Sequence, residues 1–129
     1  IGVIAFSPLA QGVLSGKYNR GNTNGARGDN PNSTLRASHI EPRVLEAVDK
    51  VGEIAKARGQ TMVQLALSWV LRRKEMTSAL IGVRTLDQLK DNLGVLNNLD
   101  LSDEEVAAID EATAGGQMEL HPRPQGWLR

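Results

Sequence analysis

The chain has 129 residues, 40% of them apolar, with 15 basic and 15 acidic residues that cancel. This suits one domain or a piece of one, and it offers neither a basic stripe for nucleic acid nor an acidic arm. No cysteine occurs, so disulfides and Cys-ligated metal sites are excluded, which fits a reducing, cytoplasmic setting. The apolar runs are too short to cross a bilayer, and no cationic segment precedes the apolar opening as a secretory leader requires.

The chain opens on Ile1 within a strand-like run, which fits a piece of something longer. Gly2 to Phe6 predicts a short buried strand, stopped by Ser7-Pro8. The polar, glycine-containing stretch FSPLAQGVLSGKY follows. Asn19 to Thr34 (NRGNTNGARGDNPNST) has too little apolar surface to bury and reads as a loop; loops of this length serve as lids or stay disordered.

Glu41-Pro42 starts a first helix, because proline is accepted in a helix's first turn. Val44, Val48, Val51 and Ala55 recur at helical spacing, and Gly59 ends the run. Thr61 with Gln64 makes a capping-box pattern for a second helix. Its apolar face is Met62, Leu65, Ala66, Trp69 and Val70, and Arg72, Arg73 and Lys74 close it where cations suit the helix dipole. Thr77 to Ile81 predicts a second strand, closed by Gly82. Thr85 with Gln88 caps a third helix with Leu86, Leu89, Leu93 and Leu96 on one face. Ser102 with Glu105 caps a fourth, carrying Val106, Ile109 and Ala112 up to Gly115-Gly116. The Pro-rich tail is irregular.

Strands separated by helices predict parallel α/β packing. Two strands alone leave unpaired edges and apolar faces, so the expected fold is an incomplete α/β domain.

Two stretches could carry chemistry. In SALIGVRTLDQLKDN, residues 78 to 92, a strand runs through Gly82-Val83-Arg84-Thr85 into a helix. Free amides and the positive dipole end suit a phosphate there, and Arg84 can add a charge-assisted contact. An ordinary strand–helix turn is the commoner explanation of such a segment, and the capping box accounts for Gln88 without a ligand. Gly12 to Tyr18 echoes a P-loop but has one residue too few between its glycines and Tyr18 where a Ser or Thr belongs. No G-x-G-x-x-G fingerprint is present. His39 and His121 lack ligand-spaced partners and read as surface residues, not metal ligands. Asp103-Glu104-Glu105 reads as a helix N-terminus.

Taken together, FSPLAQGVLSGKY and the later LIGVRTLDQLKDNLGVL strongly resemble the aldo-keto reductases. The likeness is greatest to the branch with the potassium-channel beta subunits and the glyceraldehyde-3-phosphate reductase-like enzymes. RGQTMVQLALSWVLRRKEMTSALIG and LDLSDEEVAAID are similar to that family too. The resemblance covers residues 1 to about 114, with 115–129 as a C-terminal tail.

This resemblance implies a (β/α)₈ TIM barrel, of which the chain is the C-terminal part: Gly2 to Phe6 as strand seven and Ser78 to Ile81 as strand eight. A phosphate site commonly follows those strands. It implies NADPH as cofactor, a carbonyl compound as substrate, and hydride transfer to an aldehyde or ketone. By position, Phe6 matches the aromatic that stacks on the nicotinamide. Ser7, Pro8, Leu9, Gln11 and Gly12 match the loop along the pyrophosphate, and Lys17 and Arg36 the basic residues closing over the cofactor. Gly82, Arg84, Gln88, Asp91 and Asn92 match the adenosine end, with Arg84 at the 2′-phosphate; related members carry Glu at the Asp91 position. The family's catalytic Asp, Tyr, Lys and His lie on earlier strands, so no catalytic residue and no metal ligand is expected here. Tyr18 follows strand seven, the wrong place for the acid. The missing strands, or an oligomeric partner, would have to complete the fold. The alternative is a non-catalytic, nucleotide-sensing or partner-binding module.

Overall fold

The structure is a computed structural model that describes residues 1–19, 35 and 37–115. Residues 20–34 of the loop expected over 19–34, Arg36, and the tail from 116, with His121, lie outside the described residues.

Among the described residues six regular elements follow one another: β1 (Val3–Phe6), α1 (Pro42–Ala57), α2 (Met62–Leu71), β2 (Met76–Leu80), α3 (Leu86–Leu93) and α4 (Asp103–Thr113). Short 3₁₀ segments cover Ala10–Ser15, Ala37–Ile40 and Gly94–Asn97. The two strands form one parallel pair, with Val3 opposite Met76, Ile4 opposite Ser78, Ala5 opposite Ala79 and Phe6 opposite Leu80. Thr77 is the extra residue where the register shifts. Its hydroxyl accepts the Val3 amide at 3.1 Å, and a Cβ on Gly2 would meet that oxygen at 2.5 Å. The second strand thus starts one residue earlier than Thr77, because Met76 still pairs, and ends before Ile81.

The helices start where their caps are. Pro42 sits in the first turn of α1 behind Glu41. Its end is a Schellman turn: Gly59 has φ +67, and the Gln60 and Gly59 amides donate to Ala55 and Lys56 carbonyls, both at 2.9 Å. Thr61/Gln64 and Ser102/Glu105 form complete capping boxes.

The core lies among the helices. Val51, Ala55, Leu65 and Ile109 join α1, α2 and α4. Val13, Tyr18, Leu35, Val44 and Val48 join the segment after β1 to α1, and Met62 packs against both groups. Each fully buried Val or Leu contributes roughly 1.5–3 kcal/mol. Ile4, Phe6 and Leu80 on the strands remain exposed, as do Leu86, Leu93 and Leu96. Of the expected leucine face of α3 only Leu89 is half-buried by the described residues; α3 and its 3₁₀ extension bury Asn92 and Val95. His39 corrects the surface reading: it is buried, in the 3₁₀ turn whose Ile40 packs on the core. Among the described residues no helix is long and apolar enough to cross a membrane.

Candidate functional site

β1 and β2 run in the same direction and end opposite one another, Phe6 beside Leu80. The loops Ser7–Ser15 and Ile81–Thr85 therefore leave neighbouring strand ends on the same side of the sheet. In open α/β sheets that is where ligands bind.

The first loop is tightly wound. Ser7, Ala10 and Gln11 have φ of 53, 48 and 60, and Gly12 and Gly16 have 91 and 68. Three non-glycine residues in the left-handed region cost on the order of 1–3 kcal/mol each, a burden that clusters at functional sites. The surroundings offset it. The Ala10 and Gly12 amides donate to the Ser7 and Leu9 carbonyls at 3.0 and 2.9 Å. The Ser15 hydroxyl donates to the Gly12 carbonyl at 2.7 Å, and Val13 is wholly buried as the anchor. Lys17 folds back over this coil: a Cβ on Gly12 would lie 3.1 Å from its Nζ. That Nζ also stands 5.1 Å from the centre of the Tyr18 ring. Phe6 keeps 63% of its surface exposed at the strand end.

In the second loop Gly82 and Arg84 are exposed, and a Cβ on Gly82 would meet open space. Thr85 accepts the Gln88 amide at 3.2 Å. The Gln88 side chain does not return to the Thr85 amide, as a complete box would require. Its Oε1 accepts the Arg84 amide at 2.8 Å instead. This ties the Arg84 turn to α3.

The structure thus places Phe6 at the end of β1, Ser7, Pro8, Leu9, Gln11 and Gly12 in the loop after it and Lys17 just beyond, with Gly82 and Arg84 in the loop that leaves the neighbouring strand end and Gln88 in the first turn of α3. Asn92 is buried. Asp91 is engaged elsewhere: its Oδ1 accepts from the Thr61 hydroxyl at 3.0 Å and from Gln64 Nε2 at 2.9 Å. Sequence reasoning missed that bridge, since Thr61 and Gln64 already had a local explanation in the capping box.

The remaining polar clusters are structural. Glu105 accepts the Ser102 amide and pairs with Arg58; the amide first, then the guanidinium, hold its carboxyl below the usual carboxylate range. Tyr18 is buried in the core, and its hydroxyl has no partner among the described residues. No cluster of three or more His, Cys, Asp or Glu suited to a metal occurs among them.

Two parallel β-strands, each followed through a loop by helices, define an α/β protein with both loops at common strand ends. The chain belongs to the aldo/keto reductase family, whose pattern it matches over residues 1–114. It is 40% identical over 125 residues to L-glyceraldehyde 3-phosphate reductase of Escherichia coli O157:H7, covering 93% of this chain and 36% of that protein. It is 34% identical over 125 residues to protein tas of Escherichia coli K12, covering 95% of this chain and 34% of that one. It is 30% identical over 126 residues to a putative voltage-gated potassium channel subunit beta of Schizosaccharomyces pombe, covering 95% of this chain and 37% of that protein. The chain spans about a third of the length of these relatives.

Proposed function

We propose that the chain is the C-terminal part of a (β/α)₈ aldo-keto reductase, with β1 and β2 as its seventh and eighth strands. In this reading it supplies most of the grip on NADPH in a cytoplasmic enzyme that reduces aldehydes or ketones to alcohols. The carrying observation is the parallel pairing of Phe6 with Leu80, which sets the two candidate loops side by side. A complete barrel needs about 250 residues, and the exposed Ile4 and Leu80 are apolar surface that the rest of such a barrel would cover.

The donor set suits a dinucleotide. Phe6 offers an exposed aromatic face, Lys17 and Arg84 offer positive charge, and Gly12 and Gly82 offer close backbone approach. The bound nicotinamide would supply the hydride, and the protein orients it. Arg84, as a bidentate donor, is the group for a 2′-phosphate.

Arg84→Ala in the intact protein is the test. NADPH affinity falls at least tenfold while NADH affinity changes little; equal losses for both would sink the 2′-phosphate assignment. A second reading is a nucleotide-sensing or partner-binding module without catalysis. It predicts cofactor binding in the intact protein without carbonyl-dependent oxidation of NADPH.

A further inference from the structure

Asp91 stands in α3 three residues after Gln88 and one before Asn92, among the residues expected at the adenosine. Its bonds run to the start of α2. Besides the two donors to Oδ1, Gln64 Nε2 also donates to the Asp91 carbonyl at 3.0 Å. Thr61 and Gln64 are the two halves of the α2 capping box. The same two side chains therefore close the start of α2 and hold α3.

Gly94 completes the arrangement, because a Cβ there would lie 2.5 Å from Gln64 Nε2. Its φ of −57 needs no glycine; the space for Gln64 does. One turn earlier in α3, Gln88 holds the Arg84 amide. A continuous set of bonds thus runs from the start of α2 through Asp91 and α3 to the Arg84 turn.

We infer that Asp91 is a positioning residue that latches α3, and with it Gln88 and the Arg84 turn, onto the capping box of α2, and that it does not itself touch the cofactor. The ligand in this inference rests on the dinucleotide reading above; the latch rests on the bonds. A carboxylate that accepts two side-chain donors makes charge-assisted bonds, about twice as strong as neutral ones. Binding groups tolerate little looseness in the elements that carry them.

Gln64→Glu in the intact protein isolates the latch. Glutamate still accepts the Thr61 amide, so the capping box survives, but the donor to Asp91 is gone and a like charge faces it. Loss of a charge-assisted bond raises the NADPH Kd about fivefold to tenfold, and it raises KM with kcat unchanged, the mark of lost uniform binding. Asp91→Asn in the same protein swaps donor and acceptor between the side chains while the bond to the Asp91 carbonyl stays lost, so the double variant recovers at least about twofold in Kd over Gln64→Glu. An unchanged Kd in Gln64→Glu, or a double variant no better than its weaker parent, overturns the latch and leaves Asp91 as a direct contact. If wild type binds neither NADPH nor NADH, the dinucleotide reading has failed. The latch is then judged on thermal unfolding: Gln64→Glu lowers Tm by about 2 °C and Asp91→Asn recovers part of the loss, whereas additive losses overturn it.

Discussion

Arg58, at the C-cap of α1, pairs with Glu105 in the first turn of α4. The same guanidinium donates to the carbonyls of Asn98 and Asp100 at 3.0 and 2.9 Å, and to Gln60 Oε1 at 2.8 Å. Its side chain is only 6% exposed. One cation therefore fastens the end of α1 to the connection between α3 and α4. Arg58→Ala should cost roughly 2–3 kcal/mol, at the upper end for bonds to charged groups. Urea unfolding of the intact protein measures it; a loss below about 1 kcal/mol would mean that water replaces the guanidinium at little cost.

The Glu105 carboxyl titrates below its usual value near 4.5 in the fold. A depressed folded pKa means that the unfolded state binds the proton more readily. The stability that Glu105 contributes is fully present above the unfolded pKa and is lost as pH falls through the folded one. Glu105→Gln should therefore flatten the acid limb of stability below about pH 4.5 relative to wild type. Glu104 and Glu46 are also lowered, so some acid sensitivity remains. Identical limbs in the two proteins would remove Glu105 from the account.

Gly94→Ala ought to favour a helical turn by up to about 1 kcal/mol from propensity alone. Here the new methyl displaces Gln64 Nε2 from Asp91, so the net effect is destabilising by roughly 1 kcal/mol. In a Gln64→Ala background the same substitution becomes neutral or stabilising. A double-mutant cycle on unfolding free energy reads the coupling, and strict additivity would contradict the close approach.

Val13→Ala removes the wholly buried anchor of the left-handed loop after β1. The expected cost is roughly 2–3 kcal/mol, from lost transfer energy and the cavity left behind. Because the strained coil at Ala10 and Gln11 packs on that anchor, the proposed dinucleotide site predicts that NADPH affinity falls as well. Undiminished affinity in a destabilised variant would show that the loop holds its shape without Val13.

Local order was legible in the sequence because its causes are local. Thr61 with Gln64, Ser102 with Glu105, Pro42 and Gly59 mark helix ends through backbone groups three or four residues away, and the structure keeps all four ends. The two loops that carry the candidate site were visible for the same reason, since a strand that stops at Ser7-Pro8 or Gly82 must turn there. Only the tertiary structure decided the relationships between residues far apart. It set Phe6 beside Leu80, placed Thr77 in the bulge against Gly2, buried His39, and sent the Gln88 side chain to the Arg84 amide. It also drew Asp91 to Thr61 and Gln64, a bond across 30 and 27 residues. Side chains such as Gln64 have more donors and acceptors than one motif uses, and which distant group takes the spare ones depends on how the helices pack.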